Sequence, residues 1–180
     1  MKQLIECVPN ISEGRDMNII NQVTAEIEKV EGVKLLDVDP GATTNRTVIT
    51  FVGEPEPVCE AAYRVVKRAS ELIDMRNHHG AHPRQGATDV CPLVPVANIT
   101  MDEVVEYAHK LAERIGGELQ GTVCPHIIVY LHVGGVPHVV FALHFFRFHC
   151  KDMLLMSPHI RLSVSENGLF LKRPVLRYIL

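Results

Sequence analysis

The apolar positions of the first 119 residues alternate between two rhythms. "LIECVPN" near the amino terminus, and later "VKLLDVD" and "RTVITFVG", are short β-rich runs bounded by Pro, Asn or Gly, and each predicts a strand. Between the first and second, Ile20, Val23, Ile27 and Val30 recur at spacings of three, four and three, the stripe of an amphipathic helix that Gly32 closes. The turn-forming "PGATTN" joins the second and third runs as antiparallel neighbours. A second helix starts at Pro55, a favoured first-turn position, with Val58, Ala62, Val65, Ala69 and Leu72 on one face. "TDVCPLVPV" then predicts a fourth strand, which Pro92 and Pro95 confine to an edge or a short ladder. Thr100 and Glu103 make a T-x-x-E capping box ahead of a third helix with the stripe Val104, Ala108, Leu111 and Ile115.

The resulting order, strand, helix, strand, strand, helix, strand, predicts an α+β fold: a ferredoxin-like βαββαβ sheet with helices on one face, plus an added third helix. In that topology the strands lie in the order 4-1-3-2, with the first two running one way and the last two the other. The carboxyl ends of the first two strands and the amino ends of the last two then share one edge of the sheet. Asn10, Asp39, Asn45, Arg46, His82 and Arg84 sit at those ends and are expected to converge there.

Composition changes the picture only modestly. An apolar content of 47% suits a buried core, and a formal net charge of -3 gives no pull toward nucleic acid or an anionic membrane. The five cysteines, Cys7, Cys59, Cys91, Cys124 and Cys150, are widely spaced without a C-x-x-C pair, so they read as small apolar residues of a reducing compartment. No long apolar segment opens the chain, so no secretory signal is expected. A cytoplasmic protein follows, and the N-x-[ST] sequons at Asn10, Asn45 and Asn98 are then coincidental.

The densest chemistry lies in "NHHGAHPRQGATDV", residues 77–90. Gly80 allows a tight approach of the chain, and Pro83 biases His82 toward an extended conformation. An imidazole that titrates near neutrality suits general acid-base work, whereas the plainer alternative is a loop histidine satisfied by a backbone carbonyl. His78 and His79 read as an exposed helix end. A metal site on His78, His79 and His82 lacks a thiol or carboxylate at short spacing, so none is assigned. Arg46 and Arg84 present forks that match a carboxylate, with a surface arginine or a salt bridge to Asp39 as the alternative for either. Asn10, Asn45 and Asp39 have an equally ordinary use as turn residues.

Four stretches in order, "LIECVPNISEGR", "LLDVDPGATTNRTVITFVGEPE", "ASELIDMRNHHGAHPRQGATDVCPLVPV" and "TMDE", resemble the amino-terminal subdomain of the glutamate formiminotransferase family, over roughly residues 2 to 119. The resemblance implies transfer of a formimino group from N-formimino-L-glutamate to tetrahydrofolate, in histidine degradation. It puts the catalytic histidine on His82 and gives Arg46 and Arg84 substrate carboxylates to bind, beside which Asn10, Asp39 and Asn45, expected at the same sheet edge, are the further candidate substrate contacts. It further implies tetrahydrofolate as co-substrate, no metal, small-molecule partners, and a second subdomain that holds folate jointly with the first. A non-catalytic half-module that associates with a second subdomain or a second copy, or binds folate weakly, is the alternative.

The family pattern fades near Leu119, and residues 120–180 are expected to form an atypical apolar tail, irregular except for one further strand within "VCPHIIVYLHV". That tail holds six of the ten histidines and suggests a truncated or alternative ending. Residues 127–146 lack Asp, Glu, Lys and Arg, but a proline mid-run and histidines at every sixth position fit a lipid-spanning helix poorly, so no membrane span is expected.

Overall fold

The computed structural model describes residues 1–82 and 86–119 in full and, beyond them, the backbone of four strands. The first strand runs as β1 (Leu4–Cys7), breaks at Val8 and Pro9, and resumes as β2 (Asn10–Ile11). Helix α1 (Met17–Glu28) follows, capped by Asp16, whose carboxylate accepts from the amides of Asn18 and Ile19. Strands β3 (Val33–Gly41) and β4 (Arg46–Gly53) form the central hairpin, and helix α2 (Pro55–Leu72) returns over the sheet. A short 3-10 turn, Met75–Asn77, leads into the histidine loop. The fourth strand is split like the first, into β5 (Thr88–Val90) and β6 (Leu93–Ala97), and helix α3 (Met101–Glu118) comes last in this part.

Both breaks have one cause. Pro9 and Pro92 lack a donor, and the ladder reorganises around their carbonyls, with the Val8 amide donating to Pro92 O at 3.2 Å and the Ile49 amide to Pro9 O at 3.0 Å. The first strand therefore ends ahead of Pro9, and the pairing resumes beyond it at Asn10. The hairpin turn is also tighter than "PGATTN": β3 pairs with β4 as far as Gly41↔Arg46, which leaves Ala42–Asn45 as the turn.

Pairing runs β6–β1–β4–β3 on one side of the breaks and β5–β2–β4–β3 on the other. In terms of the four expected strands this is the order 4-1-3-2, antiparallel throughout, consistent with a ferredoxin-like arrangement. Along β4, Thr47, Ile49, Phe51 and Gly53 are buried while Arg46, Val48, Thr50 and Val52 are only partly so, the alternation of a sheet covered on one face. Helices α1 and α2 lie against that face. Their stripes Ile20, Val23, Ile27 and Val58, Ala62, Val65, Ala69 close over Ile5, Ile49 and Phe51, all fully buried.

α3 packs on α2 and β6, with Val104, Ala108, Leu111 and Ile115 inward. Thr100 and Glu103 form the expected reciprocal capping box, a feature worth roughly 0.5–2 kcal/mol. Arg114 bolts the two helices together: it donates to Glu60 at 2.6 Å and stacks 3.8 Å above the Tyr63 ring. In the core the Cys7 and Cys91 sulfurs touch at 3.6 Å, both fully buried.

Beyond residue 119, β7 (Ile128–Val133) joins β5 in parallel at Val90↔Ile128, and β8 (Val136–Phe141) pairs with β7 antiparallel. Strands β9 (Leu162–Ser165) and β10 (Gly168–Leu171) form a separate antiparallel pair. The expected strand is present as β7, but the three strands that follow depart from an irregular tail. Val, Ile, Leu and Phe dominate those runs, and such residues favour a pleated ladder. The chain divides into two compact units, Met1–Phe145 and Phe146–Leu180. Among the described residues no helix is long and apolar enough to cross a membrane.

Candidate active site

Four segments meet at the edge of the sheet beyond the strand breaks: Ser12–Gly14 after β2, the β3–β4 turn, the histidine loop, and the approach to β5. Asn45 knots three of them. Its backbone is left-handed (φ 51°), a conformation Asn tolerates better than most residues. Its side-chain oxygen accepts from the Gly14 amide at 2.9 Å, and its amide nitrogen donates to His79 O at 3.1 Å.

Close backbone contact is what the glycines permit. A Cβ on Gly14 would stand 2.5 Å from Gly41 O and 2.6 Å from Arg46 N, and one on Gly80 would run into the Thr44 carbonyl. Without them the Ser12 and histidine segments could not lie on the hairpin turn, where the Ala81 amide donates to Thr43 O at 3.2 Å.

The 3-10 turn aims the histidine loop. Asp74 caps it, accepting from the Arg76 guanidinium at 2.8 and 2.9 Å and from the Arg76 amide at 3.0 Å. Those bonds from Arg76 hold the Asp74 carboxyl down at about 2. Downstream, His78 turns inward, with Nε2 at 3.0 Å from the Asn45 carbonyl. A carbonyl only accepts, so Nε2 carries the proton. His78 is therefore not the exposed helix end anticipated from its position, because α2 stops at Leu72 and the 3-10 turn redirects the chain.

His82 meets Arg46, the first residue of β4. Arg46 Nη1 lies 2.5 Å from His82 Nε2 and 3.3 Å from Nδ1. Because a guanidinium only donates, the ring nitrogen facing it accepts, and the imidazole is neutral in this arrangement. On its other side Arg46 approaches Asp89 rather than Asp39, with Nε 3.8 Å from Asp89 Oδ2. Asp39 is exposed on β3, across the ladder from Val48, and points to no role in holding Arg46.

Asn45, Arg46 and His82 thus share one cleft, together with His78, Ser12, Thr44 and Asp89. Asn10 and Asp39 are not part of its lining. Asn10 is buried on β2, with its amide donating to Val8 O at 2.9 Å. Arg84 lies outside the described residues. Among the described residues, no three His, Cys, Asp or Glu side chains gather as metal ligands.

Asp89, Ser12 and His78 were not anticipated. Asp89 and Ser12 carry no local motif, and only the pairing of β2 with β5 brings them to the cleft. His78 had a weak signal in its closeness to His82. Among the described residues the cleft is a shallow, partly open depression with about 130 Å³ of empty space, open solvent included. A small-molecule site takes roughly 300–1,000 Å³, and so shallow a depression suits one wall of such a site. A neutral imidazole beside a guanidinium fork can move a proton next to an anchored carboxylate.

Comparison with known proteins supplies the context for this geometry. Residues 4–127 match the profile of the formiminotransferase domain, N-terminal subdomain. The chain is 53% identical over 119 residues to a formimidoyltransferase-cyclodeaminase of Dictyostelium discoideum, covering 66% of this chain and 22% of the relative. It is 49% identical over 132 residues to the Rattus norvegicus formimidoyltransferase-cyclodeaminase, covering 73% and 23%. A glutamate formimidoyltransferase of Streptococcus pyogenes serotype M1 is 50% identical over 119 residues, covering 66% and 40%. The chain therefore spans less than half the length of these relatives.

Proposed function

Because this chain belongs to the formiminotransferase-domain family as its N-terminal subdomain, we propose that it takes part in transferring the formimino group of N-formimino-L-glutamate to tetrahydrofolate, as one half of the active site. The observation that carries the proposal is the contact of Arg46 Nη1 with the His82 ring at 2.5 Å. In the reaction, N5 of tetrahydrofolate attacks the formimino carbon and a tetrahedral adduct forms. The proton on N5 must leave, and the glutamate nitrogen must gain one, before the old C–N bond breaks. A neutral His82 can accept the first proton and return it to the second nitrogen, so no net proton is consumed.

Both substrates carry carboxylates, which suit the forks of Arg46 and Arg84. A carboxylate that engages Arg46 competes for the donors now facing His82, and so frees the ring nitrogen for the substrate. Asn45 supports the wall through its bonds to Gly14 and His79, and Asn10 and Asp39 stand as outlying substrate contacts. Tetrahydrofolate serves as co-substrate and no metal is invoked. The setting is the cytoplasm.

The small cleft favours a second reading, in which the chain is a half-module without activity of its own. The opposite wall then comes from a separate second subdomain or from a second copy. One assay separates the two. Purified chain is incubated with N-formimino-L-glutamate and tetrahydrofolate, alone and with a second-subdomain fragment, and 5-formimino-tetrahydrofolate is followed by mass spectrometry. Transfer by the chain alone supports the enzyme, and transfer only on addition of the fragment supports the half-module. In the active assembly His82→Ala should lower the rate by about 100-fold or more, and full activity in that variant would overturn the role of His82.

A further inference from the structure

We infer that Asp89 is a positioning residue, which sets the orientation of Arg46 and through it the placement and tautomer of the His82 ring; its catalytic meaning rests on the function proposed above. The guanidinium is a rigid plane, so whatever holds its Nε edge decides where Nη1 points. Nη1 is the atom that meets His82. Nε is buried and has no hydrogen-bond partner among the described residues, and the Asp89 carboxylate stands 3.8 Å away from it.

The carboxylate is itself held by backbone. Asp89 Oδ1 accepts from the Gly86 amide at 3.3 Å. Ser12 fastens the same loop to β2, its amide donating to Ala87 O at 2.9 Å and its hydroxyl to Gly86 O at 2.7 Å. Asp89 thus reads the position of two strands and passes it to Arg46. Its side chain is only 7% exposed and that of Arg46 19%. A buried ion pair is a poor source of stability compared with apolar packing, so a carboxylate kept there is better explained by the arrangement it imposes.

The test uses the full chain labelled with 15N, with imidazole tautomers read from long-range proton–nitrogen spectra. In the wild type His82 should show one dominant tautomer, with its accepting nitrogen toward Arg46. Asp89→Asn keeps an oxygen for the Gly86 amide and removes the charge, and the two His82 nitrogen shifts should then converge toward a mixture. His78, held by the Asn45 carbonyl, should keep its signals, which a general loosening of the loop would not allow. Asp89→Glu should restore most of the wild-type pattern.

Unchanged His82 shifts in Asp89→Asn would overturn the proposal. Should that variant not fold, the wild type decides: slow solvent exchange of the Arg46 Nε proton supports it, and rapid exchange overturns it. In an active assembly Asp89→Asn should lower kcat about 10- to 100-fold with KM changed less than about twofold, and a change in KM alone would count against positioning. Absence of transfer by the wild-type assembly would defeat the functional reading, while the spectra still decide the role of Asp89.

Discussion

Gly80 stands where the histidine loop crosses the hairpin turn, and the crossing leaves no room for a methyl group. A Cβ there would strike the Thr44 carbonyl, a backbone atom that cannot rotate aside. Gly80→Ala is expected to cost about 1–3 kcal/mol and to lift the loop off the turn. Urea unfolding should show the loss of stability, and the His78 ring should lose its bond to Asn45. A variant with unchanged midpoint and unchanged His78 signals would show that the crossing has slack. His82 was legible in sequence because glycine and proline flank it at close range, and that local chemistry survives folding. Asp89 was not, since the three-residue run "TDV" looks like any short strand until Arg46 is placed beside it. Arg46 stood out in sequence as a candidate carboxylate binder, but the acid it approaches is Asp89, and Asp39, a possible salt-bridge partner on paper, is left exposed on β3.

Among the elements, the 3-10 turn Met75–Asn77 carries a testable pH dependence. Hydrogen bonds from the Arg76 side chain and amide hold Asp74 at about 2, below the roughly 3.9 of an unfolded chain. A depressed carboxylate stabilises the turn fully above the unfolded value, and that contribution fades as the pH falls toward the folded one. The turn should therefore stay capped down to about pH 4 and loosen between there and pH 2. A carboxyl-carbon titration of Asp74 with a midpoint near 2 is expected, and a midpoint near 4 would show that the Arg76 bonds do not persist in solution. Helices were the most legible elements, because the stripes of α1, α2 and α3 are long and periodic. The strand breaks were less so: Pro9 marked the end of the first strand but not its resumption as β2, and the single fourth strand read through Pro92 is in fact split there into β5 and β6. The 3-10 turn, which decides where His78 goes, is too short for any periodicity to reveal.

For the molecule as a whole, element order foretold the 4-1-3-2 pairing because few topologies satisfy it. The strands after β7 escaped notice since the apolar, histidine-rich sequence offers no alternation to a reader. The packed interior gives a readout of its integrity. Burial, helped by Cys91 and Glu56, pushes the Cys59 thiol up to about 12. Burial and the contact with Cys91 likewise drive Cys7 well above the ordinary thiol range. A thiol raised from 9.0 to about 12 has about 1,000-fold less thiolate at pH 8, and the thiolate is the nucleophile. Iodoacetamide should thus modify Cys59 about 1,000-fold more slowly in the native chain than in denaturant, with Cys7 slower still. Peptide mass mapping would check this, and rapid native labelling of Cys7 would contradict the packing of β1 on β6.

The proline interruptions leave the strands bordering the cleft unequal. β2 and β5 are each cut off from the longer strand beyond them, whereas β4 runs unbroken from Arg46 to Phe51, the largest fully buried side chain among the described residues. Strain drawn on the guanidinium is carried about 16 Å inward along β4 and the β3 strand laddered to it, while on the other flank the ladder is interrupted at Pro9 and Pro92. The cleft and the buried core are mechanically tethered, and the tether is the β3–β4 hairpin.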